Sequence, residues 1–312
     1  MEKRTLGRST LAITPLMLGG NVFDWTSDEA TSFAVLDAFV AQGGNSIDTA
    51  DVYSAWAPGH KGGESETLIG KWLKRSGKRN SVVIGTKVGM LAPHTGLKRD
   101  GIIAGCEDSL RRLGVETIDL YWLHKDDGKT QPDEFVGALE ELVEAGKVRA
   151  IGLSNFVGSR FTDALAESSR AGRTRFAAQQ PEYNLMKRDI EKELMPVCVR
   201  EHVSIVPYFG LASGFLTGKY RSAADKSKSP RGGGMDKYLE GKGPAVLAAL
   251  DNVAARQDAT CAQVALAWIM AKPAIAAPIA SATSVAQVTE LMGALRLKLS
   301  AADVAELDAA SA

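Results

Sequence analysis

Residues 118–127 read IDLYWLHKDD, and this segment indicates the fold of the whole chain. Its first six residues contain a single charge, Asp119. Such a nearly continuous apolar run is typical of a strand that is buried on both faces of a parallel sheet. The run stops at His124, which three charged residues follow. A buried parallel strand that ends in polar side chains predicts an α/β protein with functional groups at the carboxyl ends of its strands.

The same alternation of a short apolar run and an amphipathic helical stretch repeats along the chain. The predicted strands are 16–18, 46–48, 82–86, 118–123, 148–152, 176–179, 203–206 and 274–279. The predicted helices lie near 28–41, 64–74, 99–113, 132–145, 159–171, 189–200, 244–272 and 285–294, and the seventh has the length of two helices. Eight β–α units in succession favour a closed (β/α)8 TIM barrel over an open sheet. We therefore predict one barrel domain over residues 1–312.

Two segments fall outside this repeat. The leading residues 5–15 have short apolar flanks around Gly7, which predicts an N-terminal β-hairpin that covers the barrel floor. Residues 207–243 show no convincing regular structure and include RGGG at 231–234. A loop of that length after a barrel strand predicts a functional element of the active face.

The composition is that of an ordinary globular protein, with 312 residues of which 45% are hydrophobic and 24% charged. Its 37 basic and 37 acidic residues balance, which argues against nucleic-acid binding. No apolar run is long enough to span a membrane, and the N-terminal MEKRTLGRST lacks the apolar segment of a secretory signal. Three widely separated cysteines suit reduced thiols. These features predict a cytoplasmic protein without membrane or nucleic-acid partners.

Several common site signatures are missing from the sequence. The histidines and cysteines do not have the spacing of a zinc site, so no metal is predicted. The chain has no G-x-G-x-x-G after its first strand, no P-loop and no G-x-S-x-G nucleophile elbow. A dinucleotide, if one binds, is therefore not expected to bind in the Rossmann manner.

Four polar residues lie at the ends of three successive predicted strands. Asp48 ends the second strand and Tyr53 follows it by five residues, whereas Lys87 and His124 lie at the ends of the third and fourth. Each of them alone has an ordinary structural explanation, such as a cap or a packing residue. Because the carboxyl ends of barrel strands converge on one mouth, all four are expected to face a shared cavity.

This quartet suits proton transfer to a carbonyl oxygen. A tyrosine phenol has an ordinary pKa of about 10. The Lys87 ammonium is expected to lower the pKa of Tyr53, with Asp48 keeping Lys87 charged and oriented. His124 is expected to hydrogen-bond the substrate carbonyl. Since no side chain donates hydride, a nicotinamide cofactor is implied.

Over almost its full length the sequence resembles the aldo-keto reductases, including those of bacteria. The resemblance rests on IDTADVY (47–53), GTK (85–87), DLYWLH (119–124), GKVRAIGLSNF (146–156), QQPEYNL (179–185) and YFGLASGFLTGKY (208–220). It implies an NAD(P)H-dependent oxidoreductase that interconverts an aldehyde or ketone and its alcohol. Tyr53 would be the general acid/base, Lys87 and Asp48 its tuning pair, and His124 the residue that orients the substrate.

The resemblance also implies which residues bind the cofactor. Contacts to the nicotinamide are implied for Ser154, Asn155 and Gln180 through its carboxamide and for Tyr208 by stacking on the ring. Contacts to the pyrophosphate are implied for the backbone around Leu211, Ser213 and Leu216, with added charge from Lys219. Contacts near the adenosine are implied for Ser281, Thr283, Gln287 and Glu290. A helix cap for Ser154-Asn155, a loop contact for Gln180 and a rim position for Tyr208 remain open as structural alternatives.

The preference between the two cofactors depends on positive charge near the adenosine. A 2′-phosphate needs a cation near a helix N-terminus. The segment 278–291, which the resemblance assigns to this part of the cofactor, has no Lys or Arg, and none occurs between Lys272 and Arg296. Either Thr283 or Ser284 can still cap the helix. We therefore expect NADP(H) to be modestly favoured, with NAD(H) as a competing cofactor.

The resemblance places Trp25 and Trp56 near the mouth as substrate residues, together with Asp24 and Trp122, although Trp122 suits the core equally well. Sugars, aromatic aldehydes, pyridoxal-like compounds and secondary metabolites remain open as the small-molecule carbonyl or alcohol substrate. Two other functions also remain open. One is a regulatory subunit that binds a nicotinamide nucleotide with little turnover, and the other is an aldolase that uses Lys87 as a Schiff base. The oligomeric state is left open.

Overall fold

The computed structural model describes residues 2–228 and 232–312, in which strands and helices alternate along the chain. The strands are β1 (Arg4–Thr5), β2 (Ala12–Ile13), β3 (Met17–Gly19), β4 (Ser46–Asp48), β5 (Val83–Val88), β6 (Ile118–Leu123), β7 (Val148–Ser154), β8 (Ala178–Gln180), β9 (Ser204–Ile205) and β10 (Ile279–Ala280). The α-helices are α1 (Glu29–Ala41), α2 (Glu64–Ser76), α3 (Arg99–Leu113), α4 (Pro132–Glu144), α5 (Gly158–Ser168), α6 (Leu194–Glu201), α7 (Asp236–Leu239), α8 (Gly243–Gln257), α9 (Cys261–Met270), α10 (Val285–Gly293) and α11 (Ala301–Ala310).

The strands β3 to β10 form one parallel sheet that curls into a barrel. Its neighbours follow the chain from β3 to β9, and β10 pairs with β3. Backbone bonds close the remaining seam, because Ile205 N donates to Ala274 O at 2.7 Å and Ala276 N donates to Ile205 O at 2.9 Å. The predicted (β/α)8 barrel is therefore confirmed.

The interior of the barrel is filled by large apolar side chains that need small neighbours. Trp122 on β6 is fully buried, and a Cβ at Gly152 on the adjacent β7 would lie only 2.3 Å from its indole ring. Glycine at position 152 is what lets the ring lie flat against the next strand. The sequence left open whether Trp122 lies at the mouth or in the core, and in the structure it lies in the core.

The N-terminal hairpin is confirmed as well. Antiparallel strands β1 and β2 pair Thr5 with Ala12. The turn passes close to the start of the barrel strands, where Gly7 N donates to Ser204 Oγ at 2.8 Å. Gly7 has a φ of 51°, and a Cβ there would lie 2.3 Å from Ala177 O, so only glycine fits without a shift of backbone. The hairpin thereby covers the barrel end that lies opposite the strand C-termini.

Several predicted elements have shifted ends, such as the last barrel strand, predicted at 274–279 and found at Ile279–Ala280, and the helix predicted at 189–200, which begins at Leu194. The structure differs more strongly from the sequence-based prediction in two segments. The helix α11 was not predicted, although Ser300 and Asp303 form a capping box at its start. Residues 207–243 are not without regular structure, since they contain α7 and the 3-10 turns Ala212–Thr217, Ala223–Lys228 and Gly232–Gly234. These pieces are too short to give a periodic pattern in the sequence. Arg231, part of the glycine-rich run in that loop, lies outside the described residues.

In the part of the chain that the structure describes, no helix combines the length and the apolar character needed to cross a membrane.

Candidate active site

The carboxyl ends of β4, β5 and β6 bring the four predicted catalytic residues to one end of the barrel. Asp48 is the last residue of β4, and Lys87 is the penultimate residue of β5. His124 directly follows β6, where its backbone N–H donates to Val88 O at 2.9 Å. Tyr53 lies in the turn after β4 and approaches the other side chains from the mouth. Asp48 and Lys87 are buried, and Tyr53 and His124 are partly exposed.

The ammonium group of Lys87 is surrounded by three acceptors. Its Nζ lies 2.5 Å from Asp48 Oδ2, 2.8 Å from Thr49 O and 2.8 Å from Tyr53 Oη. Because an ammonium has three N–H donors, these contacts use all of its hydrogens. Burial lowers the pKa of Lys87, and the adjacent Asp48 carboxylate opposes that shift. The result is an oriented cation beside a phenol oxygen.

The hydroxyl of Tyr53 contacts both members of this ion pair. It accepts from Lys87 Nζ and donates to Asp48 Oδ2 over 3.2 Å. Burial, together with repulsion of a phenolate by Asp48, raises the pKa of Tyr53 well above its ordinary value. The sequence-based prediction that Lys87 lowers this pKa is therefore wrong in its net direction. Tyr53 is a neutral phenol at neutral pH, which is the form that donates a proton.

The imidazole of His124 is neutral as well. Burial lowers the pKa of His124 well below its ordinary value, and the charge of Lys87 adds to the shift. Its Nδ1 is buried and has no hydrogen-bond partner among the described residues. The ring lies 6.1 Å from the Tyr53 ring, centroid to centroid, at an interplanar angle of 76°. Since a neutral imidazole keeps one N–H donor, His124 can donate to an oxygen beside Tyr53.

A second hydrogen-bond network adjoins the ion pair. Gln180 Nε2 donates to Asp48 Oδ1 at 3.0 Å, and Ser154 Oγ donates to Gln180 O at 3.0 Å. Asn155, in a left-handed conformation with a φ of 58°, donates through Nδ2 to Ser154 Oγ. Its Oδ1 accepts from Tyr208 Oη at 2.8 Å. The bonds are continuous from Tyr208 to Asp48, so four of the predicted cofactor residues lie together next to the predicted catalytic ones.

The residues predicted at a pyrophosphate lie along the chain just after β9. They are Leu211, Ser213, Leu216 and Lys219. Inside the 3-10 turn Ala212–Thr217, Ser213 and Gly214 have φ angles of 57° and 95°. Successive left-handed residues in a tight turn are typical of backbone concavities that bind anions. The Nζ of Lys219 lies 5.1 Å from the centroid of the Tyr220 ring, so the turn also has a cation beside it.

Aromatic rings extend from Tyr53 toward the rim of the mouth. The rings of Tyr53 and Trp56 are 6.0 Å apart, and those of Trp56 and Trp25 are 5.5 Å apart with an interplanar angle of 85°. Trp56 is 49% exposed, which is unusual for so large an apolar side chain. The two predicted substrate residues therefore form one edge-to-face wall that begins at the Tyr53 phenol.

Comparison with known proteins connects this site to a family. A family model described as the Aldo/keto reductase family matches residues 15–312. The chain belongs to the aldo-keto reductase family. It is accordingly an NAD(P)-dependent oxidoreductase, and the resemblance seen in the sequence is confirmed.

Individual relatives agree with this assignment. The chain is 33% identical over 309 residues to YrpG of Bacillus subtilis (strain 168), which is named an uncharacterized oxidoreductase, and the match covers 96% of this chain and 92% of that protein. It is 32% identical to aldo-keto reductase yakc of Schizosaccharomyces pombe, whose name specifies NADP(+), over 97% of this chain and 89% of that one. It is 30% identical to AAD16 of Saccharomyces cerevisiae, which is named a putative aryl-alcohol dehydrogenase. That match covers 97% of this chain and 95% of that protein.

In this aldo-keto reductase the segment after β10 carries neutral side chains at the start of α10. Ser284 is the N-cap residue, and its Oγ accepts from Gln287 N at 3.3 Å. The side chain of Gln287 turns back, so that its Oε1 accepts from Thr283 N at 2.8 Å. The sequence allowed either Thr283 or Ser284 as the cap of this helix, and the structure shows Ser284. The first turn of α10 is thus bonded to its own polar side chains and has no cation of its own.

The other two residues predicted near the adenosine make different contacts. Ser281 Oγ donates to Asn21 Oδ1 at 2.5 Å, which joins the ends of β10 and β3. Glu290 is held through its backbone, where its carbonyl accepts from Gln263 Nε2 at 2.9 Å. Within residues 2–228 and 232–312, no group of three or more His, Cys, Asp or Glu side chains is arranged to hold a metal ion.

One acidic residue at this site, Asp51, was not among the residues predicted from the sequence. Asp51 lies between Asp48 and Tyr53 in the chain and is only 2% exposed. Its backbone N–H donates to Lys87 O at 3.2 Å. The sequence does contain a signal for it, because Asp51 is a third acidic or phenolic residue in the six-residue segment from Asp48 to Tyr53.

Proposed function

We propose that this enzyme reduces aldehydes or ketones to alcohols, and catalyses the reverse reaction, with Tyr53 as general acid/base. The observation that carries the proposal is the Tyr53 hydroxyl itself. It is a neutral phenol at the barrel mouth, and the Lys87 ammonium donates to its oxygen at 2.8 Å. A phenol polarised by a cation at its oxygen can release a proton toward a developing alkoxide, because the cation stabilises the phenolate that remains.

In the proposed reaction the residues of the chain handle the proton and the substrate oxygen. A bound nicotinamide cofactor supplies the hydride, which no side chain can provide. The Tyr53 O–H turns from Asp48 Oδ2, its longest contact at 3.2 Å, toward the substrate oxygen. His124 donates its single N–H to the same oxygen and orients the carbonyl. After proton transfer the Lys87 ammonium, which Asp48 orients, stabilises the phenolate until a solvent proton restores the phenol.

The polar network beside the ion pair supports binding of the nicotinamide. We propose that Ser154, Asn155 and Gln180 bind the carboxamide and that the ring of Tyr208, fixed through its hydroxyl by Asn155, stacks on the nicotinamide. Side-chain amides and hydroxyls of this kind match both the donor and the acceptor of a carboxamide.

We propose that the turn around Leu211, Ser213 and Leu216, together with Lys219, binds the pyrophosphate of the cofactor. The turn suits this role because it combines left-handed backbone with a cation.

We expect the cofactor preference to be modest. Near α10 we assign Ser281, Thr283, Gln287 and Glu290 to the adenosine end. Three of these side chains are neutral and Glu290 is acidic, and neither kind binds a 2′-phosphate as strongly as a cation does. The kcat/KM with NADPH should therefore exceed that with NADH by less than about a thousandfold, or about 4 kcal/mol. Gln287→Arg should raise the ratio by about tenfold, or about 1.4 kcal/mol. A native ratio above a thousandfold would point to a cation from another loop.

We also propose that Trp25 and Trp56 bind the substrate and favour aromatic carbonyls. The exposed face of Trp56 continues the wall that begins at Tyr53, and aromatic pairs gain about 0.5–1.5 kcal/mol beyond burial. Trp56→Ala should lower kcat/KM for an aromatic aldehyde by about tenfold or more, or at least about 1.4 kcal/mol. The value for a short aliphatic aldehyde serves as the internal control and should change less. Equal losses for both would argue against a substrate-binding role.

The experiment that tests the proposed function is a panel of aldehydes and ketones, followed by the absorbance of NADPH or NADH. Turnover would support reduction. Tight cofactor binding without turnover on the whole panel would favour the regulatory subunit, and a borohydride-trapped adduct on Lys87 would favour the aldolase. The three acceptors around Lys87 Nζ argue against the aldolase, because they hold its ammonium form.

We further propose that residues 1–312 act as one domain in the cytoplasm.

A further inference from the structure

Asp51 is a buried carboxyl that the proposed proton transfer does not use. It is 2% exposed, and its Oδ1 has no hydrogen-bond partner among the described residues. Its backbone N–H donates to Lys87 O at 3.2 Å, so its main chain is bonded to the strand residue whose side chain holds Tyr53. A buried polar atom without a partner is uncommon and costs stability, which calls for an explanation.

The charged groups around Asp51 do not neutralise it. Glu66 on α2 faces it with a like charge, whereas Arg112 on α3 and Lys87 on β5 attract it. Both cations already have other acceptors. Arg112 Nε donates to Glu66 Oε2 at 2.5 Å, and Lys87 Nζ donates to Asp48. The charge of Asp51 also acts on the phenols of Tyr53 and Tyr121.

The protonation state of Asp51 therefore changes near neutral pH. Burial and the repulsion by Glu66 raise the pKa of Asp51 to about 7. When Asp51 is ionised, its charge raises the pKa of both Lys87 and Tyr53. When it is protonated, that contribution disappears.

We propose that Asp51 is a positioning residue of the proton-transfer site, whose buried carboxylate, on the segment bonded to the main chain of Lys87, acts through its charge on the Lys87–Tyr53 pair. The inference rests on the proposed role of Tyr53. It places a carboxylate that never touches substrate in control of the pH range in which the enzyme works. Reduction needs the Tyr53 phenol, and oxidation needs its phenolate, so the charge moves the pH profiles of both directions along the pH axis together.

The test is Asp51→Asn, which keeps the shape and removes the charge. The alkaline limb of the kcat profile for reduction should lie about half to one pH unit lower in the variant than in the native enzyme, and the profile for alcohol oxidation should reach its plateau lower by the same amount, because both report the pKa of the proton-transfer group. Well below pH 7, where native Asp51 is protonated, the two proteins should agree. A structural defect would slow both directions at every pH, and that result would overturn the proposal.

Asp303→Asn provides the matched control. Asp303 is a carboxylate of similar burial, 3% exposed, on the peripheral helix α11, where it accepts from Arg256. Its removal should leave both pH profiles unchanged, whatever it does to Tm. A change of the same sign as in Asp51→Asn would overturn the proposal, because it would show that any lost carboxylate has this effect.

A spectroscopic titration separates failure of this inference from failure of the proposed function. The tyrosinate absorbance of Tyr53 is obtained as the difference between a protein and the same protein with Tyr53→Phe. In the Asp51→Asn background this absorbance should rise at lower pH than in the native background, whether or not any carbonyl is reduced. Coinciding titrations would overturn the role of Asp51 even if the enzyme reduces carbonyls well. If the titration shifts while a broad panel shows no turnover, the inference stands and the proposed function fails.

Discussion

Replacing Tyr53 by Phe should lower kcat for carbonyl reduction by about a hundredfold to ten-thousandfold, the range that a positioned general acid contributes. The variant keeps the ring against Trp56 and His124 and loses only the hydroxyl that Lys87 Nζ contacts at 2.8 Å. Cofactor affinity should change little, because the residues proposed to bind the nicotinamide are retained. Single-turnover kinetics and a fluorescence titration with NADPH measure the two quantities separately.

The matched control for this prediction is Tyr121→Phe. Tyr121 is a fully buried tyrosine on β6 whose hydroxyl donates to Ile102 O at 3.2 Å, away from the ion pair. Losing that bond should cost about 0.5–1.5 kcal/mol of stability and leave kcat unchanged. A Tyr53→Phe variant with the native kcat would remove Tyr53 from the mechanism.

The order of strands and helices could be predicted because buried parallel strands and helix ends leave local signals. The sequence gives the bounds of β6 and α3 as the structure has them, since a continuous apolar run forms the strand and Gly114 ends the helix in a left-handed conformation with a φ of 65°. The convergence of Asp48, Lys87 and His124 follows from topology alone, because each ends a barrel strand.

What could not be predicted depends on contacts between distant segments. The 3-10 turn Ala212–Thr217 requires positive φ at Ser213, which no local preference of serine indicates. The direction of the Tyr53 pKa shift depends on how far the fold removes water from the phenol. The sequence indicates which charges are near Tyr53, but it does not indicate desolvation, and desolvation is the largest influence on that pKa.

Replacing Lys87 by Met should both inactivate the enzyme and destabilise the fold. The side chain of Lys87 is fully buried against Asp48, which is 1% exposed. Removing one member of a buried ion pair leaves the other charge without compensation, a loss of about 3–5 kcal/mol. The free energy of unfolding, measured by urea denaturation at neutral pH, should fall by that amount. Turnover should fall by at least the factor expected for Tyr53→Phe, since the cation that stabilises the phenolate is absent.

The double variant Asp48→Asn/Lys87→Met distinguishes the structural effect from the catalytic one. It removes both charges, so no buried carboxylate is left without a cation, and Gln180 Nε2 can still donate to the amide oxygen at position 48. Much of the lost stability should return, because a buried ion pair contributes little net free energy relative to a neutral pair of similar volume. Activity should not return, since Tyr53 would lack the ammonium at its oxygen. Recovery of both would show that Lys87 serves only to balance Asp48, whereas native stability in the single variant would show that Asp48 does not need its cation.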